Sequence, residues 1–186
     1  MKSDQFNNTE IITTRDVLHA IKSFCEHDKE IALRYRKIRD ASRILKNAAV
    51  YDMTLRCNLL CEGCYFFEGD ESQNINEEMS PEKWKEFFKE QQINGVQFGY
   101  FGGAEPALVQ DRLRLASTYI PYGTVATNGT IKIDPVIPYR LIVSVWGDEE
   151  HTTKLRGANT FWKVIRNYEG DERALFAYTI SNQNLM

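Results

Sequence analysis

Alternating strands and helices from residue 49 onward predict an α/β fold built on a parallel sheet. Two observations carry this. Short apolar runs rich in β-branched and aromatic residues recur at 49–55, 96–101, 122–126, 140–146 and 174–180, and the segments between most of them read as helices. The run RLIVSVW (140–146) is nearly all apolar, as a strand covered on both faces must be. Strand–helix–strand units of this kind imply right-handed crossovers. Residues 1–48 read as an N-terminal helical extension, and 49–186 as the sheet domain.

The first twelve residues read as a loose, polar start. From Thr14 to Lys46, Leu18, Ile21, Cys25, Ile31, Leu33, Ile38, Ile44 and Leu45 give a rough helical stripe among charged residues, with a break at His27-Asp28-Lys29. This extension reads as a scaffold or lid, and Cys25 on its apolar face as a small buried hydrophobe. Ser80-Pro81 starts the next helix, with Ser at the N-cap and Pro at the first helical position. Trp84, Phe87, Phe88 and Gln91 follow at helical spacing, and Asn94-Gly95 ends it. Further helices are expected over 107–119 and 159–168. The link between the third and fourth strands holds Pro135 and Pro138 and leaves little room for one. Parallel sheets gather ligands at the carboxyl ends of their strands. The cysteine-rich loop, Gly102-Gly103-Ala104-Glu105-Pro106, Thr127-Asn128-Gly129, Ser144–Gly147 and Thr179–Asn182 all fall at such ends.

At 186 residues the chain is about one domain long, taking roughly 150 residues per domain. Lys and Arg number 23 against 26 Asp and Glu, a net charge of −3, which argues against a nucleic-acid partner. MKSDQFNNTE is not a secretory signal, and no apolar run approaches the roughly 18 residues of a membrane span. A reduced, cytoplasmic setting without a membrane partner is therefore expected. There, clustered cysteines more often bind metal or do catalysis than form disulfides. Cys57, Cys61 and Cys64 lie within eight residues. A 4Fe–4S cube normally takes four cysteines, so three thiolates would leave one iron open to bind something else.

CNLLCEGC (57–64) resembles the CxxxCxxC signature of the radical S-adenosylmethionine (radical SAM) superfamily, and GGAEP (102–106) resembles that family's GGEP motif. TNG (127–129) also recurs there after a third strand. The resemblance implies a partial (β/α)6 TIM-barrel-like sheet with about five strands present. Six is the family's usual number, so a fragment of a longer protein is expected. It implies two cofactors, a 4Fe–4S cluster on Cys57, Cys61 and Cys64 and S-adenosylmethionine chelated to the fourth iron. Gly102, Gly103 and Glu105 would hold the methionine ammonium, Ser144 the ribose or carboxylate, and Arg156 the carboxylate. Thr179 and Asn182 would lie near the adenosine. One electron passed to the sulfonium would release a 5′-deoxyadenosyl radical that takes hydrogen from a substrate, peptide or small molecule. The electron would come from a reducing partner such as flavodoxin or ferredoxin. The segment from Ser144 to Ile165 loosely resembles the peptide-modifying branch. Gly63 departs from the family, which places an aromatic residue before the third cysteine; Tyr65, Phe66 and Phe67 are the candidates to replace it.

Other readings remain for the same residues. The cysteines suit structural zinc if Cys25 or His27 folds back as a fourth ligand, and a non-catalytic iron–sulfur module would keep the same loop. GGAEP on its own is a tight strand-to-helix turn, Arg156 a solvated cation, and His151 a surface histidine.

Overall fold

The computed structural model describes residues 14–44, 47–67, 79–180 and 182–184. The chain divides into two compact units, residues 1–44 and 45–186. The polar start at 1–12 and Leu45 lie outside the described residues.

The first unit holds α1 (Thr14–His27) and α2 (Lys29–Ile44). They part at Asp28, where the His27-Asp28-Lys29 step predicts a break. The Asp28 carboxylate accepts the N–H groups of Glu30 and Ile31 at 2.8 and 3.1 Å, satisfying donors that the first turn of α2 leaves open. Ile31, Leu33 and Ile38 are exposed, so the apolar stripe read from the sequence is not a buried one along α2. Cys25 is a half-buried free thiol.

The second unit is a sheet of β1 (Ala48–Asp52), β2 (Phe98–Gly102), β3 (Tyr122–Thr127), β4 (Arg140–Val145) and β5 (Ala174–Tyr178), ordered 1-2-3-4-5 with every pairing parallel. A doubly wound sheet reverses its strand order at a switch point. This one advances in a single direction, like the wall of a (β/α) barrel, and is a partial TIM-barrel-like sheet. All five strands fall where the sequence predicts them, to within two or three residues at their ends.

Of the helices, α3 (Pro81–Ile93) joins β1 to β2 with the predicted cap: the Ser80 hydroxyl accepts the Lys83 N–H at 3.3 Å. The helix expected over 107–119 is shorter. Residues 106–108 form a single 3-10 turn, the backbone extends at Val109, and α4 runs from Gln110 to Tyr119. The Glu105 side chain takes the Ala107 N–H and fixes that turn. Between β4 and β5 there are two helices where one is predicted, α5 (Glu149–Arg156) and α6 (Phe161–Tyr168). Helix α5 is bounded by an Asp148 N-cap and by Gly157 in the left-handed conformation (φ 69°). Its polar sequence, EEHTTKLR, hides it from any search for an apolar stripe.

The core fills the helix-covered face of the sheet. Tyr51, Phe101, Val125, Leu141 and Val143 meet Phe88 of α3, Leu113 and Ala116 of α4, and Val164 and Tyr168 of α6. The Phe101 ring lies back across Gly99 and Gly123 and stacks on Tyr139, centroids 4.6 Å apart. A Cβ at Gly99 would stand 2.3 Å from that ring, so glycine in mid-strand is here a seat for an aromatic side chain. The Tyr139 hydroxyl, fully buried, donates to the Ile120 carbonyl at 2.8 Å, and burial holds its pKa far above the usual phenol value. The segment from Asn128 to Tyr139 crosses from β3 to β4 without a helix. Arg173, just before β5, pins it, donating to the carbonyls of Ile133, Asp134 and Ile137 and to the Asp171 carboxylate. Among the described residues no helix is long and apolar enough to cross a membrane.

Candidate functional site

Beyond β1 and β2 the two chains continue side by side. Met53 N–H donates to Gly102 O (3.0 Å), Ala104 N–H to Thr54 O (2.9 Å) and Glu105 N–H to Arg56 O (3.0 Å). The GGAEP loop therefore grips the stretch leading into the cysteines. Gly103 makes this possible: its φ is +102°, and a Cβ there would lie 2.5 Å from Thr54 O. Arg112 of α4 reinforces the same stretch by donating to Met53 O at 2.5 Å.

The cysteine loop is tied down at several further points. Glu62 N–H donates to Leu155 O of α5 at 2.8 Å, and Cys64 N–H to Cys61 O at 3.2 Å. Asn58 Nδ2 donates to Thr130 Oγ1 (2.8 Å), and Asn128 Nδ2 to Asn58 Oδ1 (2.9 Å). Cys57, Cys61 and Cys64 are all free and half-buried, and all three line one cavity of about 160 Å³. Leu59, Phe66, Phe67, Gly103, Ala104, Ala126, Thr127, Asn128, Ser144, Trp146 and Arg156 complete its wall. The carboxyl ends of β1, β2, β3 and β4 thus converge on one space. A larger cavity of about 580 Å³ shares Cys57, Leu59, Phe67 and Arg156 with it.

Burial pushes the Cys57 and Cys61 thiols up. At Cys61 the positive charge of Arg156 pulls the other way. Arg156 is 3% exposed and no solvated cation. Its Nη1 donates to Asn128 O at 2.8 Å, its guanidinium stands 5.9 Å from the Trp146 ring centroid, and its buried Nε has no partner. Burial lowers its pKa, while Cys61, Glu105 and Cys57 hold it up.

Comparison with known proteins follows the same lines. No family model matches the chain, and no curated protein matches it. Among solved structures it is similar to anSMEcpe with bound AdoMet (S-adenosylmethionine), with a TM-score of 0.53 and 21% identity over 71% of this chain and 43% of that one. It is also similar to Streptococcus suis SuiB bound to S-adenosylmethionine, at 0.54 and 15% over 80% of this chain and 38% of that one. A second SuiB structure gives 0.54 and 15% over 93% and 48%. The fold is theirs. The chain spans less than half the length of each, and at these identities the likeness is one of fold.

The structure brings Cys57, Cys61, Cys64, Gly103, Ser144 and Arg156 together around the cavity. Four other candidates stand elsewhere. Gly102 is buried in β2 and is not part of the wall. Glu105 is completely buried and also absent from the wall. Its Oε1 accepts Ala107 N–H (2.8 Å) and Thr127 Oγ1–H (2.7 Å), and its Oε2 accepts Asn128 N–H (2.6 Å). The carboxylate thus clamps the ends of β2 and β3 together. Burial pushes its carboxyl up, against the three donors and Arg156, which pull it down. Thr179 and Asn182 are exposed and outside the cavity. It is Asn184 that is buried there, its amide donating to Trp146 O (3.2 Å) and Thr179 O (2.7 Å). His151 is tied to Asp148 at 2.8 Å as part of the α5 cap.

Sequence reasoning assigned no role to Asn128 or Trp146. The Thr-Asn-Gly signal was present, but as a turn; only the fold shows its asparagine reaching the cysteine loop. Of the three aromatic candidates beside Gly63, Phe66 and Phe67 line the cavity; the Tyr65 side chain lies outside the described residues.

Proposed function

We propose that this chain is the cofactor-binding core of a radical SAM enzyme. One observation carries the reading: three thiols of a single loop share one cavity with Gly103 just past β2, Ser144 near the end of β4 and Arg156 at the end of α5. The residues fit a 4Fe–4S cluster. Among the described residues no three His, Cys, Asp or Glu side chains converge on the position of a single metal ion. Sulfurs spaced around a cavity suit a cube, where each thiolate meets its own iron, better than a closed zinc tetrahedron. The unpartnered Nε of Arg156 supplies an unused donor at the same wall.

Cys57, Cys61 and Cys64 would hold the cluster. When bound and reduced, the cluster would supply the one electron that breaks a carbon–sulfur bond of the S-adenosylmethionine sulfonium, leaving methionine and a 5′-deoxyadenosyl radical. The chain's own part is to bind and orient. Arg156, a fixed buried cation, would take the methionine carboxylate, with the Ser144 hydroxyl beside it. Phe66, Phe67 and Trp146 would exclude water and give the adenine a stacking surface. Glu105 clamps the ends of β2 and β3, and Asn128 ties the cysteine loop to the end of β3. The substrate would be a peptide or small molecule that gives up hydrogen, and the electron would come from a flavodoxin- or ferredoxin-like donor.

The test is anaerobic reconstitution with iron and sulfide, followed by reductant and S-adenosylmethionine. A brown protein with a 4Fe–4S spectrum that releases 5′-deoxyadenosine supports the reading. Colour without product makes the chain a non-catalytic iron–sulfur module. Tight zinc with no iron discards both.

A further inference from the structure

The sulfurs in the cavity differ in what points at them. Cys57 Sγ accepts the Leu59 backbone N–H at 3.4 Å and the Asn128 side-chain amide at 3.6 Å. Cys61 shares the cavity wall with the buried Arg156 guanidinium, whose positive charge acts on its sulfur. Asn128 and Arg156 are themselves joined, since Arg156 Nη1 donates to Asn128 O at 2.8 Å.

Asn128 is held on every side. Its N–H is on Glu105 Oε2 (2.6 Å), and its Oδ1 accepts both the N–H (2.9 Å) and the hydroxyl (2.7 Å) of Thr130. With two donors committed to Oδ1, the amide cannot turn over without setting N–H against N–H. Nδ2 must therefore be the atom that faces Cys57. Asn128 is 8% exposed and Arg156 3%, so neither donor is diluted by water.

We propose that Asn128 and Arg156 together set the reduction potential of the iron–sulfur cluster that Cys57, Cys61 and Cys64 hold. The inference rests on the function proposed above. Reduction adds one electron from a low-potential donor and makes or breaks no bond; the added charge spreads onto the sulfurs. Hydrogen bonds to sulfur and a nearby fixed cation stabilise the electron-rich state and raise the potential. Each does so strongly in a buried site, where charges are poorly screened. In this role both act on the cluster from beside its cysteines, apart from the carboxylate contact proposed for Arg156.

The experiment is a redox titration of the reconstituted protein without S-adenosylmethionine, using dithionite and mediator dyes, with the reduced cluster read by electron paramagnetic resonance and iron counted in parallel. Arg156→Gln removes the charge. Asn128→Asp keeps the two bonds from Thr130 but replaces the donor at Cys57 with a carboxylate. Both are expected to titrate at lower potential. At the potential that half-reduces the unaltered protein, the ratio of reduced to oxidised cluster should fall about tenfold, 59 mV for a one-electron couple. Arg156→Lys, which keeps the charge but not the planar fork, should fall between. Variants with full iron that titrate together with the unaltered protein overturn the proposal. If Arg156→Gln does not load iron, Asn128→Asp carries the test, and if neither loads, an unmoved potential in Arg156→Lys overturns it. An unaltered protein that takes up no iron sinks the proposed function itself, whereas unmoved potentials in loaded variants sink only this inference.

Discussion

Glu105 offers the sharpest separation between two roles for one side chain, ligand for an ammonium or clamp within the fold. Glu105→Gln keeps size and shape and removes one acceptor. The carboxylate takes three protein donors at 2.8, 2.7 and 2.6 Å and is wholly buried. The amide oxygen can replace Oε1 and keep Ala107 N–H and Thr127 Oγ1–H, but its NH2 then faces Asn128 N–H, donor against donor. Turned over, it loses Ala107 N–H instead. At least one charge-assisted bond goes, worth about 1.5–3 kcal/mol. Against this, the neutral side chain avoids the burial of a charge, which already pushes the Glu105 carboxyl up. A net destabilisation of about 1–3 kcal/mol is expected. The assay is urea denaturation of the metal-free protein, comparing midpoints at equal slope. S-adenosylmethionine cannot contribute there, so a clamp lowers the midpoint and a pure ammonium ligand does not. An unchanged midpoint combined with weakened S-adenosylmethionine binding in the reconstituted protein would refute the reasoning.

Three more outcomes follow from the same geometry. Gly103→Ala places a Cβ 2.5 Å from Thr54 O at a φ of +102°; the strain, about 1–3 kcal/mol, should displace the cysteine loop, and iron uptake after reconstitution should drop. Cys61→Ala should abolish the 4Fe–4S spectrum while Cys25→Ala leaves it intact, and equal loss of iron in both would show the ligand set to be misassigned. The hydrogen bonds from Arg173 hold the Asp171 carboxyl below its ordinary value. A carboxyl depressed in the folded state contributes stability above its unfolded pKa, about 3.9, and loses it as the pH falls through the lower folded value. Asp171→Asn should therefore lower stability at pH 7 and flatten the loss seen on acidification below about pH 4, read from denaturation midpoints across that range.

The strands were legible because each is a short run whose neighbours in space are also strands, so local pattern and tertiary setting agree. Helix α3 was legible for its cap, since Ser80 and Pro81 act on backbone groups three residues away or fewer. Helix α5 was not: its start and stop, Asp148 and Gly157, are as well formed as those of α3, but its polar body carries no stripe to draw the eye to them. In the site, the meeting of the three cysteines at one cavity could be read because they sit within eight residues. The turn of the Glu105 carboxylate could not be read, for the opposite reason. A motif shows that an acid stands at a strand end, not which way its carboxylate turns. That direction is decided by Thr127 and Asn128, more than twenty residues away along the chain and adjacent only once β2 and β3 are paired. Asn128 is the same case over a longer reach. Its amide meets Asn58 and Cys57, some seventy residues earlier, and a turn signal there is silent about the sulfur. What the sequence hides is thus of one kind: polar side chains whose partners become neighbours only through the sheet. Asn128 is also the side chain that meets the Cys57 sulfur, so the setting of that sulfur depends on a residue outside the motif that announces it.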